Sequence, residues 1–182
     1  MENKYIKTYD NVLTKDQCQH IIDKFEDSKL QWQKTILENH RSFTEINLNL
    51  HDDWSEYVKI LYKTMGPYIE KYAKEFKVTH NWPEKFGWEH IRMKKYEVNN
   101  KDEFKEHVDV MDYASAKRFL VFFLYLNDNE GGLTSFSEYD INVKPEAGKM
   151  LMFPPLWTHK HAGTMPIKEP KYIIGSYLHY VW

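Results

Sequence analysis

Two patterns of apolar positions divide the chain. Up to about residue 76 they recur at helical spacing; from Phe86 onward they alternate or run together as in strands. Thr14, followed three residues later by Gln17, has the form of a capping box, in which each side chain satisfies a backbone N–H of the first turn. Cys18, Ile21, Ile22 and Phe25 then form one apolar stripe. A second helix is predicted to begin near Asp52–Asp53, whose carboxylates suit the positive end of a helix dipole. Trp54, Tyr57, Val58, Leu61, Tyr62 and Met65 supply its buried face. Gly66-Pro67 is expected to kink or break this helix, because proline lacks the N–H and its ring crowds the preceding turn. Tyr68, Ile69, Tyr72 and Phe76 resume the pattern.

Beyond Phe86, Ile91 and Met93 alternate with Arg92 and Lys94, which predicts a strand with one solvated face. Phe119 to Leu126 is an unbroken apolar run, as in a strand covered on both faces. Gly131-Gly132 and Pro145 to Gly148 mark turns. Lys149 to Phe153 reads as a short strand, and Lys171 to Trp182 as the last one. Helices first and short strands afterwards predict an α+β, mainly β fold: a β-sandwich or jelly roll with the N-terminal helices packed on one sheet. No repeat or linker interrupts the 182 residues, so a single domain is expected, with a helical support over about 1–80 and a strand core over about 86–182.

Composition narrows the partners. Hydrophobic residues make up 42 % and charged residues 29 %, enough for a packed core, and the net charge of −2 gives no global attraction to nucleic acid or acidic lipid. The aromatic and basic stretch from Trp88 to Tyr96 is therefore read as a half-solvated strand rather than a nucleic-acid contact. The single cysteine, Cys18, excludes an intramolecular disulfide and any multi-cysteine zinc site; it is read as a buried apolar residue of the first helix. No apolar run approaches the ~18 residues of a membrane span, and Met1 to Gln17 lacks a signal peptide's apolar region. A cytoplasmic protein without a membrane partner is expected.

The chemistry-bearing residues fall in two groups. His107-Val108-Asp109 places an imidazole and a carboxylate at i and i+2, which share one face of a strand. Thr158-His159-Lys160-His161 lies about fifty residues downstream, and antiparallel pairing can bring either histidine beside the first pair. Two histidines and one carboxylate on a single face of a metal leave three positions open, which suits Fe(II) that must bind both a cosubstrate and O2. Lys171, at the start of the last strand, is placed to anchor an anionic cosubstrate as a point charge. His20, His40, His51, His80, His90 and His179 show no ligand spacing and are read as surface or hydrogen-bonded histidines. Gly148-Lys149 is not a phosphate loop, since Val143 stands where its first glycine belongs and Met150 replaces Ser or Thr.

Taken in order, several segments resemble the 2-oxoglutarate and Fe(II)-dependent oxygenases of the prolyl 4-hydroxylase type. They are Tyr96 ahead of His107-Val108-Asp109, Tyr125-Leu126-Asn127, Gly131 to Phe136, Val143 to Gly148 with Leu151 to Pro154, and His161 with Pro166 and Lys171-Tyr172. The resemblance covers roughly Phe86 to Trp182 and implies a double-stranded β-helix whose open end holds the metal. It implies that His107, Asp109 and His161 hold the iron, the family's spacing to the basic anchor selecting His161 over His159. Lys171 then pairs with the distal carboxylate of 2-oxoglutarate, Tyr125 adds a hydroxyl near it, and Tyr96 and Thr134 line the same pocket. Tyr177 stands where relatives often carry Trp, and Gly175 where some carry a hydroxyl residue. The activity implied is hydroxylation of an unactivated C–H bond, with O2 as oxidant, 2-oxoglutarate decarboxylated to succinate and ascorbate as reductant. The first substrate implied is a peptidyl proline, oxidised at C4 in a proline-containing peptide or protein. A free amino acid or other small metabolite, and a catalytically inactive ligand-binding jelly roll, are the alternatives. The charged stretch Lys95 to Glu106 reads equally as a lid or as a solvated turn.

Overall fold

Strand side chains point alternately to opposite faces, and here that alternation builds two cores on the two sides of one curled antiparallel sheet. The computed structural model describes residues 5–181. The first four residues of the N-terminal stretch and Trp182, the end of the expected last strand, lie outside the described residues. Twelve strands are present among those described: β1 (Lys7–Tyr9), β2 (Gln33–Leu37), β3 (Arg41–Asn47), β4 (Phe86–Trp88), β5 (Arg92–Tyr96), β6 (Phe104–His107), β7 (Arg118–Tyr125), β8 (Thr134–Phe136), β9 (Ile141–Val143), β10 (Met150–Phe153), β11 (His161–Gly163) and β12 (Lys171–Tyr180). Their order is β1-β10-β7-β12-β5-β3-β6-β11-β8-β9, with β2 on β3 and β4 on β12. This is the jelly roll expected from the sequence.

Helix α1 (Lys15–Asp27) starts at the expected capping box: Gln17 N donates to Thr14 Oγ1 at 3.2 Å and Thr14 N to Gln17 Oε1 at 2.9 Å. Helix α2 (Ser55–Glu75) follows a 3-10 turn at Asp52–Trp54. The two helices cover the outer face. Their buried residues (Ile22, Phe25, Leu61 and Met65 among them) pack with Ile46, Met93, Phe122, Leu124, Met152 and Ile174 of the sheet. Charged contacts reinforce the docking, since Glu26 of α1 accepts from both the Tyr172 hydroxyl at 2.7 Å and Lys95 Nζ at 2.9 Å. The alternate residues of the same strands turn inward. Phe43, Tyr96, Val121, Tyr125 and Ile173, with Leu151 and Phe153 of the adjoining β10, meet Phe136 and Val143 of β8 and β9.

Three expectations are corrected. The first half is not helical throughout, because β2 and β3 form a hairpin, with Gln33 opposite Glu45 and Leu37 opposite Arg41. Asn39, at φ 58°, takes the left-handed conformation that this turn requires and that asparagine tolerates. Helix α2 also runs unbroken through Gly66-Pro67. One proline removes one backbone hydrogen bond, whereas Leu61, Met65, Ile69 and Tyr72 bury a continuous stripe on both sides of it, and packing wins. Finally, the polar face of β5 is only partly solvated: Arg92 is exposed but Lys94 is half-buried. Met93 faces the helices while Lys94 faces an interior cavity.

Candidate functional site

Antiparallel pairing of β6 with β11 sets His107 directly opposite His161, their ring centroids 4.4 Å apart. Asp109 follows two residues after His107, and its backbone N–H donates to Pro155 O at 3.2 Å. The ligand atoms of His107, Asp109 and His161 all lie within 4.8 Å of one another. His107 Nε2 is 3.7 Å from Asp109 Oδ1, and His161 Nε2 is 3.6 Å from Asp109 Oδ2.

Surrounding bonds aim these atoms inward. His107 Nδ1 lies 2.7 Å from Lys105 O and His161 Nδ1 lies 3.0 Å from His159 O. A ring N–H facing each carbonyl fixes the tautomer that leaves Nε2 with a free lone pair. Phe104 stacks flat on His107 at 3.5 Å, with 7° between the planes, and holds that ring in place. The Tyr177 hydroxyl donates to Asp109 Oδ1 at 2.8 Å. Burial, followed by the Asp109 charge, raises the Tyr177 pKa and keeps that proton on the donor. Burial pulls the His161 imidazole down to about 4. Burial pushes Asp109 the other way, but the imidazoles of His107 and His161 and the Tyr177 hydroxyl outweigh it and hold the carboxyl below the usual range. At neutral pH Asp109 is therefore a carboxylate and His161 a lone-pair imidazole, the forms that ligate a cation.

Asp109 Oδ2 and His161 Nε2 are buried yet lack a hydrogen-bond partner. Two facing acceptors left unpaired at close range are costly unless a cation sits between them. The donor set thus fits a divalent metal with open positions.

Beyond the triad, the cavity runs inward to Lys171, lined by Tyr96, Thr134 and Ile173. Lys171 is 2 % exposed, and its amine donates to Gly132 O at 2.6 Å beneath the rings of Tyr96 and Tyr125. Burial first, and Lys94 second, pull its pKa down to about 7. Gly132 has to be glycine here, because a Cβ on it would lie 2.7 Å from Lys171 Cδ at a φ of 62°. Asn127 and Asn129 clamp the approach to β12 by donating to Pro170 O at 2.8 Å and Glu169 O at 2.7 Å. The Tyr125 and Thr134 hydroxyls bond each other at 2.6 Å. All the residues expected at the site are thus brought to one cavity or its wall. His159 stands aside: its Nδ1 is 2.8 Å from Thr158 Oγ1 and its ring stacks on Tyr139.

Residues 91–179 match the model of the 2OG-Fe(II) oxygenase superfamily. That stretch, just under half of the chain, is a 2OG-Fe(II) oxygenase domain. Comparison of sequence with curated proteins finds no match. Among solved structures, this oxygenase is similar to a viral collagen prolyl hydroxylase of Paramecium bursaria Chlorella virus-1 in complex with 2OG (18 % identity, TM-score 0.69, covering 100 % of this chain and 98 % of that one). It is similar to a prolyl hydroxylase of Trichoplax adhaerens in complex with a peptide fragment of the hypoxia inducible factor oxygen degradation domain (14 %, TM-score 0.76, 97 % and 84 %). A Pseudomonas putida prolyl-4-hydroxylase is also similar (13 %, TM-score 0.69, 98 % and 95 %). These likenesses extend the shared fold over the helical part of the chain. A domain of this kind implies Fe(II), 2-oxoglutarate and O2.

Two features of this oxygenase site escape a sequence reading. Lys94 faces the cavity, and Arg41, from the unforeseen hairpin, lines the adjoining groove over Phe104. The segment between β5 and β6 is anchored rather than loose. Buried Asp102 accepts from Lys34 Nζ at 2.8 Å, Ser42 Oγ at 2.6 Å and Glu97 N at 3.1 Å. Among the described residues no helix is long and apolar enough to cross a membrane.

Proposed function

We propose that this 2-oxoglutarate-dependent dioxygenase hydroxylates proline at C4 in a peptide or protein substrate, with His107, Asp109 and His161 as the iron ligands and Lys171 as the cosubstrate anchor. The reading is carried by a single observation: two buried, unpartnered ligand atoms and a buried lysine with no carboxylate partner share one cavity. The first pair calls for a cation and the second for an anion, and a metal chelated by 2-oxoglutarate supplies both. Iron(II) in that place supplies the redox chemistry that couples decarboxylation of 2-oxoglutarate to oxidation of a C–H bond.

The chain's own residues do the rest. Lys171 binds the distal carboxylate as a point charge, and Tyr125 and Thr134 offer hydroxyls beside it. Tyr96 and Ile173 wall the cosubstrate and exclude water. Tyr177 orients Asp109, and the carbonyls of Lys105 and His159 orient the two imidazoles. The narrow cavity, of about 40 Å³, opens into a groove of about 520 Å³ that shares His107, Asp109 and Tyr177 with it. A groove of that size beside the metal ligands, with Met111 79 % exposed on its rim, supports an extended substrate rather than a diatomic or very small one. The structural likeness to a prolyl hydroxylase holding a peptide fragment supports the same reading. We further propose one oxygenase domain over 1–182, in which about 1–80 braces a core of about 86–182. Ascorbate serves as reductant, and the single buried cysteine and near-neutral charge favour a cytoplasmic setting without nucleic-acid or membrane partners.

The test is aerobic incubation with Fe(II), ascorbate, 2-oxoglutarate and a panel of proline-containing peptides, followed by mass spectrometry. A gain of one oxygen atom on proline together with succinate is the expected result. Metal binding without succinate under any substrate would instead describe a ligand-binding jelly roll, and succinate with no oxidised peptide would turn the search to free amino acids.

A further inference from the structure

The groove outside the metal site carries many charges, and most of them are already paired. Arg118 makes two bonds of 2.8 Å to the Glu89 carboxylate. Arg92 Nη1 lies 3.5 Å from Glu45 Oε1, whose other partner is the Thr35 hydroxyl at 3.0 Å. Two cations remain. Among the described residues, neither Arg41 nor Lys94 has an ion pair or a side-chain hydrogen bond, and Arg41 Nε is buried without a partner. Both lie over the Phe104 ring, the guanidinium carbon at 5.4 Å and the amine at 6.0 Å, and Lys94 Nζ is also 4.7 Å from the Phe43 ring centre. Ring faces partly offset the cost of burying these charges but provide no acceptor for their N–H groups.

The register separates Lys94 from the cosubstrate anchor. On β5, Tyr96 pairs with Lys171 and Lys94 pairs with Ile173, so Lys94 is the next inward-facing residue toward the open end. The carboxylates whose charge reaches it are Glu45, already engaged, and Asp109, assigned above to the metal. We propose that Arg41 and Lys94 form a subsite for a carboxylate of the primary substrate, beside His107 and Asp109. The inference rests on the oxygenase reading above and adds the charge of the substrate to it. A carboxylate can enter from two sources: an acidic side chain neighbouring the oxidised residue in a peptide, or the α-carboxylate of a free amino acid.

Succinate formation stimulated by substrate separates the possibilities. Matched peptides carry Glu or Gln beside the target proline, and free L-proline is compared with prolinamide. For the wild-type protein, kcat/KM is expected to be roughly tenfold or more higher for the carboxylate member of one pair, the affected pair naming the source. In Lys94→Met and Arg41→Gln the ratio is expected to fall toward one, and Lys94→Arg to restore most of it. Each ratio is internal to one protein, so changes in folding yield or basal rate cancel. Equal turnover of both pairs by wild type, or succinate stimulated by none of the four compounds, overturns the subsite while leaving the oxygenase reading intact. A Lys94→Met protein that keeps the preference but shows a raised KM for 2-oxoglutarate also overturns it, by giving the amine to the cosubstrate. No succinate under any condition, including without primary substrate, removes the oxygenase reading and the subsite with it.

Discussion

Lys171 offers the sharpest quantitative check, because its environment couples cosubstrate binding to pH. Its amine is buried with one carbonyl acceptor and no carboxylate, and burial followed by Lys94 lowers its pKa to about 7. A carboxylate arriving against it favours the ammonium form and returns the pKa toward the ordinary lysine range. The sign follows from linkage. Between the two pKa values the bound state holds more protons than the free one, so 2-oxoglutarate binding takes up a proton and weakens as pH rises above 7. Only about one amine in ten is charged at pH 8, and about one in a hundred at pH 9, so the apparent Kd should rise roughly tenfold per pH unit, or about 1.4 kcal/mol. Below pH 7 the Lys171 contribution is flat. His161, pulled down to about 4, does not titrate in the same window. Calorimetric titration of 2-oxoglutarate into the Mn(II)-loaded protein, in two buffers of different ionisation heat, measures both slope and proton uptake. Lys171→Met keeps the apolar stem but removes the charge. It should lose roughly 10- to 100-fold in affinity at pH 7 and show no dependence on pH from 7 to 9. A wild-type Kd that stays constant from pH 7 to 9, or a methionine variant binding as tightly as wild type, would refute the anchor.

Four further outcomes are expected. Asp109→Ala removes the carboxylate between the two imidazoles and should abolish Mn(II) binding and turnover together; unchanged metal affinity would contradict the ligand assignment. Tyr177→Phe deletes one 2.8 Å bond to Asp109 and should weaken metal binding roughly 10- to 100-fold without unfolding the protein, as read by calorimetry and by thermal melting. Asp102→Asn should cost about 2–3 kcal/mol in urea denaturation at pH 7, since it uncouples Lys34 from a buried acceptor. Burial pushes the Asp102 carboxyl up, but Lys34, Ser42 and the Glu97 N–H outweigh burial and hold it below the ordinary value. Its stabilisation is therefore present above the carboxylate range and lost as pH falls through it, so the gap between variant and wild type should close in acid. Gly148→Ala should cost about 2–4 kcal/mol by the same assay, because a Cβ there meets Leu13 O at 2.1 Å with φ at 81°.

What the sequence discloses and what it hides divide along the range of the interactions. Helix α1 is legible because its signals are local: Thr14 and Gln17 cap each other, and Cys18 to Phe25 form a stripe within one element. The strand run Phe119 to Leu126 is legible for the same reason, since residues buried on both faces leave no polar alternation to misread. The triad is half legible. His107 and Asp109 share a short segment, but the choice between His159 and His161 depends on which one β11 sets opposite His107, a pairing across more than fifty residues. The hairpin of β2 and β3 is missed because its strands carry polar residues at most positions of the exposed edge, and Asn39 is the one local turn signal.

Lys94 and Arg41 are illegible for a deeper reason. Alternation along Arg92 to Tyr96 identifies two faces correctly, but not what lies against each. In a single-layer strand the polar face meets water; in a curled sheet it meets the opposite layer, and here it meets a cavity lined by Phe104, His107 and Lys171. A lysine read as solvated is then a charge held among aromatic rings, and its value changes from incidental to chemical. Lys171 differs in that its place at the start of the last strand already marks it as a candidate anchor, while its burial at 2 % exposure comes from the curled sheet. Buried cations that lack carboxylates are expensive to keep. One buried cation (Lys171) and two half-buried ones (Arg41 and Lys94) converge on one groove and its cavity in a chain whose net charge is only −2. That concentration is understandable if anions occupy the site during function: the cosubstrate at Lys171 and, one inward position along β5, the substrate at Lys94.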